Sequence, residues 1–541
     1  MIFRVGVLLD RPVISAWEGA TIARVADSDV AQISLVMVDR HDGNNHPANS
    51  LLKLYMNLDQ RLFKCRPDAI QKSNVREILP GIPFIELSSA GRSGSNGLLD
   101  DDLDRIRTYN LDLILHLGSR VLEGDVLELP KYGVWSFTHG DPNHFREGPP
   151  GFWELAEDSP VVRSVLEILT AEPGKKETLV CSYSRTHPLS LAKGRNVSLW
   201  KCVAFVPRKL RELSKTRGEM FFRKVEKDSE LLRFNDRRGY DHPTLWYMVC
   251  FMVRQAWRVL LAWIDKRLSV EQWFLAFSFG KRLTTSFWEY ETIRPPKDRF
   301  WADPHLIRFG EEWYIFLEEY LYSTKRGHIS VMKIGEDGQT TPPVVVLERD
   351  YHLSYPFVFF WNGTHYMVPE TSRNKTIDLY ECVKFPDQWE LKLTLMKDVR
   401  AVDATLLYFK NKWWLFTNIA EHGGAETTDE LFLFHADELL TQAWTPHPLN
   451  PIVSDVRRAR PAGRIFEQDG VLYRPSQDCS REYGGGINFH QIVTLTEEDY
   501  REVQLSSHKP DWDEKIIGLH TFSQNQELTV IDLCMKKSRW K

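Results

Sequence analysis

The stretch Trp301-Ala302-Asp303-Pro304-His305-Leu306-Ile307, followed by Glu312-Trp313-Tyr314-Ile315-Phe316-Leu317-Glu318, reads as a strand, a short turn and an aromatic second strand. The pattern returns in Ser354-Tyr355-Pro356-Phe357-Val358-Phe359 with Thr364-His365-Tyr366-Met367-Val368-Pro369-Glu370. A third copy is Val402-Asp403-Ala404-Thr405-Leu406-Leu407 with Lys412-Trp413-Trp414-Leu415-Phe416. A weaker fourth runs from Ala462-Gly463-Arg464-Ile465-Phe466 to Pro475, and a fifth fragment starts at Gly518-Leu519-His520-Thr521-Phe522. Asp303, Tyr355, Asp403, Gly463 and His520 hold equivalent places, 52, 48, 60 and 57 residues apart. Units of about 40–50 residues with several strands each are propeller blades, which stack because one blade cannot bury its faces alone. Residues 287–541 are therefore expected to form a five-bladed β-propeller, its equivalent positions converging near the axis.

The chain has 541 residues, 43% hydrophobic and 26% charged, with a net charge of -5. That length requires several cores, since a domain takes roughly 100–200 residues. Aromatic residues make up 12%, which favours all-β architecture, carbohydrate contact or both, and argues against disorder. Seven cysteines without a CxxC pair point away from a disulfide framework and toward a reducing compartment. The histidines show no HExxH or comparable spacing, so no metal is expected. The opening MIFRVGVLLD is too short for a signal-peptide core and reads as a strand. The longest apolar run, 245–253, falls short of the roughly 18 residues of a membrane span. The expectation is a cytoplasmic protein, soluble or peripheral to a membrane.

Residues 1–190 alternate strand-like segments (3–9, 33–38, 83–87, 111–117, 134–138) with helical ones, which predicts an α/β domain with a largely parallel sheet. In such sheets chemistry sits where strand carboxyl ends open into loops. Here the strand at 134–138 runs into His139-Gly140-Asp141-Pro142 and a Gly- and Pro-rich loop.

Residues 191–286 read as a basic helical connector. Between 193 and 267 there are 18 Lys and Arg against 8 Asp and Glu, a net of +10. The stretch 243–268 is helical by period, with Leu245, Met248, Val249, Met252, Val259, Leu260 and Trp263 on one face, opposite Arg254, Arg258 and Asp265. One reading docks that apolar face on a neighbouring domain; the other makes it a contact with an anionic membrane. No nucleic-acid reading motif accompanies the charge, so nucleic acid is disfavoured as a partner.

Two resemblances add to this. Gly133-Val134-Trp135-Ser136-Phe137-Thr138-His139-Gly140-Asp141, with Gly148-Pro149-Pro150-Gly151-Phe152-Trp153-Glu154, resembles the formyl-tetrahydrofolate-dependent formyltransferases. That resemblance implies a Rossmann-like fold for residues 1–190, formyl-tetrahydrofolate as a cofactor, and catalysis by an Asn-any-His pair and an Asp about 35 residues later. Ser136 and Thr138 stand at the paired positions here, and no aspartate occurs between 159 and 227. His139 and Asp141 remain, and Glu172 or Glu177 could replace the carboxylate. The repeat region resembles the propellers of arabinanase-like glycoside hydrolases and the amino-terminal domain of glucosamine inositolphosphorylceramide transferases. This likeness implies a sugar-binding funnel lined by Asp303, Glu318, Tyr355, Glu370, Asp403, Arg464 and His520. A propeller hydrolase needs an acid and a base carboxylate, and the acid expected in the fourth unit is missing, Arg460-Pro461-Ala462-Gly463-Arg464 standing in its place. An equally available role for Asp303 and Asp403 is structural, capping turns or pairing with an arginine such as Arg464.

The expected protein is thus an α/β domain, a helical connector and a propeller. It acts as a carbohydrate-directed transferase of surface polysaccharide or glycolipid synthesis on a sugar, nucleotide sugar or glycan. Two alternatives stand beside it: an active N-formyltransferase on an amino sugar, and a non-catalytic glycan-binding scaffold.

Overall fold

The computed structural model describes residues 2–39, 50–87, 98–140, 148–172, 176–216, 218–231, 243–280, 285–525 and 527–539. The chain divides into two compact units, Met1–Trp257 with Glu421–Ala425, and Arg258–Ala420 with Glu426–Lys541.

The first unit is built on a seven-stranded sheet in the order Phe84–Leu87, Ala31–Asp39, Phe3–Leu9, Leu113–His116, Val134–His139, Val161–Leu169 and Lys176–Arg185. The first five strands are parallel, Val161–Leu169 runs antiparallel to them, and Lys176–Arg185 pairs antiparallel with it in turn. Its central strands are almost wholly buried, as Val-, Ile- and Leu-rich strands covered on both faces must be. The helices Leu191–Cys202, Phe205–Lys215 and Gly218–Leu231 belong to this unit, where Leu199, Phe205, Val206, Leu210 and Phe221 join Val5, Val7 and Trp135 in one core. Much of the segment expected as a connector is therefore domain core.

The second unit is a five-bladed β-propeller. Four sheets run consecutively along the chain, beginning at Arg299–Phe309, Ser354–Trp361, Ala401–Phe409 and Phe466–Gln468. The fifth is composite: Ser269–Phe279 pairs antiparallel along its whole length with Leu528–Ser538, so strands from both ends of the propeller sequence close the ring. The ring thus takes its first strand from inside 191–286. Large side chains fill the spaces between blades, for example Phe357, Phe359 and Trp413.

The repeat positions share a backbone irregularity. Strand register breaks between Ala302 and His305, between Ser354 and Phe357, and between Val402 and Thr405. At those breaks Asp303, Tyr355 and Asp403 have φ of 53°, 44° and 52°, and Gly463 has φ of 118°. A left-handed residue in a bulge re-aims the chain and costs about 1–3 kcal/mol where it carries a Cβ. Its recurrence in successive blades marks the hub as a built feature.

The helix Leu245–Leu268 forms where its period predicts, but departs from the apolar length and the docking expected of it. By length and composition it could cross a membrane. The apolar run is interrupted by Arg254 and Gln255, but two or fewer charges in such a window do not disqualify it. Of the face expected to dock, only Met248 is fully buried, alongside Phe251 and Gln255, while Leu245, Val249, Leu260 and Trp263 are exposed.

Candidate functional site

Four of the five repeat positions deliver groups to one polar cluster at the hub, and neighbouring blades complete it. Asp303 accepts the Tyr355 N–H at 3.0 Å and the Thr521 hydroxyl at 2.9 Å, and lies 3.0 Å from His520 Nε2. The other imidazole nitrogen lies 2.9 Å from Asp532, which also accepts the Asp303 and Thr521 N–H groups at 2.9 and 2.8 Å. Asp403 takes a two-pronged bond from Arg460, at 2.6 and 3.2 Å, and a third from Gln477 at 3.2 Å. Tyr355 is fully buried, its hydroxyl bonded to Thr405 at 2.8 Å and accepting the Gly463 N–H at 2.9 Å. Both aspartates are thus enclosed by polar partners rather than hydrocarbon.

The arginine clamping Asp403 is Arg460. Arg464 turns away, donating to the Val358 carbonyl with its guanidinium 4.9 Å from the Phe357 ring centre, and burial lowers it to about 10. Arg460 reaches outward as well, 3.7 Å from Glu370 and 4.7 Å from the Tyr483 ring centre. Tyr483 also packs on His520, 5.2 Å between rings, and Trp273 does so at 4.2 Å. Sequence reading missed Arg460, Tyr483, Trp273 and Asp532 as hub residues. The signal for Arg460 was its place three residues before the fourth repeat position.

The carboxyl groups divide by protonation. Burial works against the Asp303 charge, but His520, Thr521 and the Tyr355 amide hold it down to about 2. Burial, then the charge of Asp303, raises Glu318 well above the usual range, and burial, then Asp403, does the same for Glu370. Burial also raises Asp403, against the pull of Arg460. Burial opposes the His520 imidazolium too, yet Asp532 and Asp303 outweigh it and push it up to about 10. Environments that set neighbouring carboxyls apart in this way assign proton-bearing and charged roles at pH 7.

Access further separates these groups. Glu370 is 15% exposed and Tyr483 41%, whereas Asp303 and Asp403 are at most 5% exposed with their oxygens already bonded. An incoming hydroxyl would meet Glu370 and Tyr483, while Arg460 is buried and bonded to Asp403. Glu318 faces His352, 3.5 Å away, at a second partly open edge.

Asp303, His520 and Asp532 are the one group among the described residues whose ligand atoms, all within 4.8 Å, could surround a metal ion. The His520 proton occupies that role electrostatically, and a cation would have to displace it. The same proton makes stability depend on pH. The His520 contribution is complete below its ordinary value of 6.5 and fades as pH rises toward 10, while that of Asp303 is complete above 3.8 and lost as pH falls toward 2. Denaturant titration should show stability falling by on the order of 2–4 kcal/mol between those upper limits, and His520→Gln should flatten that fall. An unchanged slope in the variant would refute the assignment.

In the first unit, the strand-end positions are arranged differently from a catalytic pair. Ser136 Oγ is 3.3 Å from His116 Nδ1, and Thr138 donates to Glu167 at 2.6 Å. His139 Nδ1 lies 3.2 Å from the Ser164 hydroxyl, its ring edge-on to Trp17, and burial lowers it to about 4. Asp141 lies outside the described residues. A cavity of about 260 Å³ opens beside His139, Gly140, Trp153, Glu154 and Glu157. The carboxylate beside Thr138 is Glu167 on the adjacent antiparallel strand; Glu172 is exposed beyond that strand's end.

These features define a two-unit protein in which an α/β sheet domain is joined in sequence to a five-bladed propeller with a charged, aromatic-edged hub. A family described as the amino-terminal region of glucosamine inositolphosphorylceramide transferase 1 matches residues 291–522. Glucosamine inositolphosphorylceramide transferase 1 of Oryza sativa subsp. japonica is 37% identical over 210 residues, or 38% of this chain and 28% of that protein. The Arabidopsis thaliana protein of the same name is 37% identical over 209 residues, or 38% and 27%. The chain therefore spans little more than a quarter of these relatives' length. Among solved structures, a family 117 glycoside hydrolase from Zobellia galactanivorans is 11% identical, with 49% of this chain and 91% of that one covered at a TM-score of 0.33. Glycinamide ribonucleotide transformylase 1 from Symbiobacterium toebii is 13% identical, with 39% and 86% covered at 0.27.

Proposed function

We propose that this chain is a carbohydrate-directed protein of glycolipid or surface polysaccharide assembly, its propeller hub holding a sugar or nucleotide sugar for a transfer step. The observation carrying this reading is the placement of a partly exposed Glu370, its carboxyl raised well above the usual range by burial and by Asp403, 3.7 Å from Arg460, with the Tyr483 ring 4.7 Å from the same guanidinium. A carboxyl that holds its proton both donates to and accepts from sugar hydroxyls, and a phenol ring offers a face to the C–H side of a pyranose. The names of the propeller's relatives, transferases of glucosamine to an inositolphosphorylceramide, favour an amino sugar and a phosphate-bearing lipid acceptor. Hydrolysis is disfavoured, because Asp303 is closed off and both its oxygens are bonded.

Calorimetric titration with nucleotide amino sugars and the free sugars tests this. At least one is expected to bind, with Glu370→Gln and Tyr483→Ala weakening it more than tenfold while circular dichroism is unchanged. Absence of binding across the panel, or binding indifferent to both changes, would sink the proposal.

A second reading, formyl-tetrahydrofolate-dependent transfer to an amino sugar, draws on the resemblance of residues 1–190 and on the cavity beside His139. A neutral imidazole there could accept a proton from an attacking amine. Turnover with formyl-tetrahydrofolate and a nucleotide amino sugar, abolished in His139→Ala, would establish it; no turnover would leave the first unit a binding domain.

A further inference from the structure

The exposed side of the Leu245–Leu268 helix is the largest feature that the sugar reading leaves unused. At 1.5 Å per residue the helix is about 36 Å long. Met248, Phe251 and Gln255 define its buried edge: Phe251 packs edge-on to Tyr55 and Phe152, with ring centres 4.9 and 5.3 Å away, and Gln255 donates to the Pro188 carbonyl at 2.9 Å. At 100° per residue, a broad sector away from that edge carries Trp246, Val253, Trp257, Leu261, Trp263 and Leu268. Each of these is more than half exposed, Trp246 at 75% and Trp257 and Leu261 at 59%. Among the described residues no buried core includes them. An apolar face of this extent on a surface helix needs a covering.

We infer that this face lies in the plane of an anionic lipid bilayer, with its tryptophans and leucines at the acyl boundary and its basic residues against the headgroups. Charge complementarity selects that occupant. The helix carries exposed Lys266 and Arg267 at its end, with a partly buried Arg258 and an Arg254 that donates to the Ala156 carbonyl, against one acidic residue, Asp265, which is paired with Lys536 at 2.7 Å. The wider segment 193–267 has a net charge of +10 in a chain whose total is -5. Tryptophan on the apolar side with Lys and Arg beside it is the composition of an interfacial helix, and each Lys or Arg near an anionic surface adds to the attraction. A second copy of the chain meeting this face about a two-fold axis would set the same cations against one another. A transmembrane course fits poorly, because Met248, Phe251 and Gln255 are held in the first unit and the chain becomes a propeller strand at Ser269. This inference stands apart from the sugar reading and can fail independently of it.

Co-flotation of the full chain with vesicles tests it, using neutral phosphatidylcholine and the same lipid with one-third phosphatidylglycerol, at low and high salt. The expected result is partition to the anionic vesicles, weakened severalfold by high salt. The double variant Trp257→Glu/Leu261→Glu should lose binding more than tenfold, and Lys266→Glu/Arg267→Glu should lose the preference for anionic lipid. All four positions are exposed, so unchanged thermal unfolding is expected to accompany both losses. Three results would overturn the inference: no partition at either salt, equal partition of the wild type and the Trp257/Leu261 variant, or a sedimenting dimer that this variant converts to monomer. The last would make the face a contact between copies.

Discussion

Replacing Arg460 with alanine is expected to cost about 3–5 kcal/mol of propeller stability at pH 7, the range for removing one partner of a buried ion pair. Arg460 is 9% exposed and its partner Asp403 2%, so the abandoned carboxylate has almost no water to turn to. Gln477 remains, but at 3.2 Å a neutral amide replaces little of a two-pronged guanidinium. The protein's recourse is protonation of Asp403, to which burial already inclines it. The deficit should therefore shrink as pH falls toward 5, and Arg460→Ala/Asp403→Asn should be markedly more stable at pH 7 than Arg460→Ala alone. Guanidinium denaturation of the four proteins in the cycle measures this. A deficit that does not depend on pH and is not relieved by Asp403→Asn would show that Arg460 acts through packing alone. Under the proposed function, sugar binding is weakened in both variants, because Glu370 loses the guanidinium 3.7 Å away.

The propeller was legible because its repeats meet one physical demand in each blade. The hub strand must bend through a left-handed residue, and the second strand must present aromatic side chains to a neighbour. Asp303, Tyr355 and Asp403 satisfy the first demand with different side chains, so spacing rather than identity carried the signal. The fifth blade was harder, since Ser269–Phe279 finds Leu528–Ser538 across most of the propeller sequence, and no local pattern encodes pairing at that distance. At the hub the sequence pointed to the aspartates but to the wrong arginine, because Arg460 and Arg464 flank the same glycine and only the path of the chain decides which faces inward. In the helix Leu245–Leu268, periodicity identified apolar residues without showing which of them had a partner. The carboxylate beside Thr138 escaped notice because Glu167 is opposite Ser136 in an antiparallel register that a parallel-sheet pattern does not suggest.

Gly463→Ala is expected to be as damaging as the loss of Arg460, for a reason that separates shape from charge. Asp303 and Asp403 carry full side chains at φ of 53° and 52°, but the 118° of Gly463 lies beyond that left-handed region, so backbone conformation alone would cost about 1–3 kcal/mol. What distinguishes Gly463 is contact: a Cβ there would sit 2.0 Å from the Phe522 carbonyl oxygen and 3.0 Å from its carbon, both backbone atoms. Phe522 is tied to the same stretch, its N–H donating to Ala462 at 2.8 Å, and Gly463 donates its own N–H to Tyr355. Making room for one methyl would part the fourth unit from the fifth and loosen the Tyr355 hydroxyl that joins them to the second. Overpacking of that kind costs about 1–3 kcal/mol, and with the conformational term the expected loss is about 2–6 kcal/mol. Gly470→Ala supplies the control. It has φ of 76° with nothing within 4 Å of the added methyl, so it should show the conformational cost alone. Equal destabilisation of the two variants in denaturant titrations would mean that close packing of the fourth and fifth units does not set the strength of the ring at this seam.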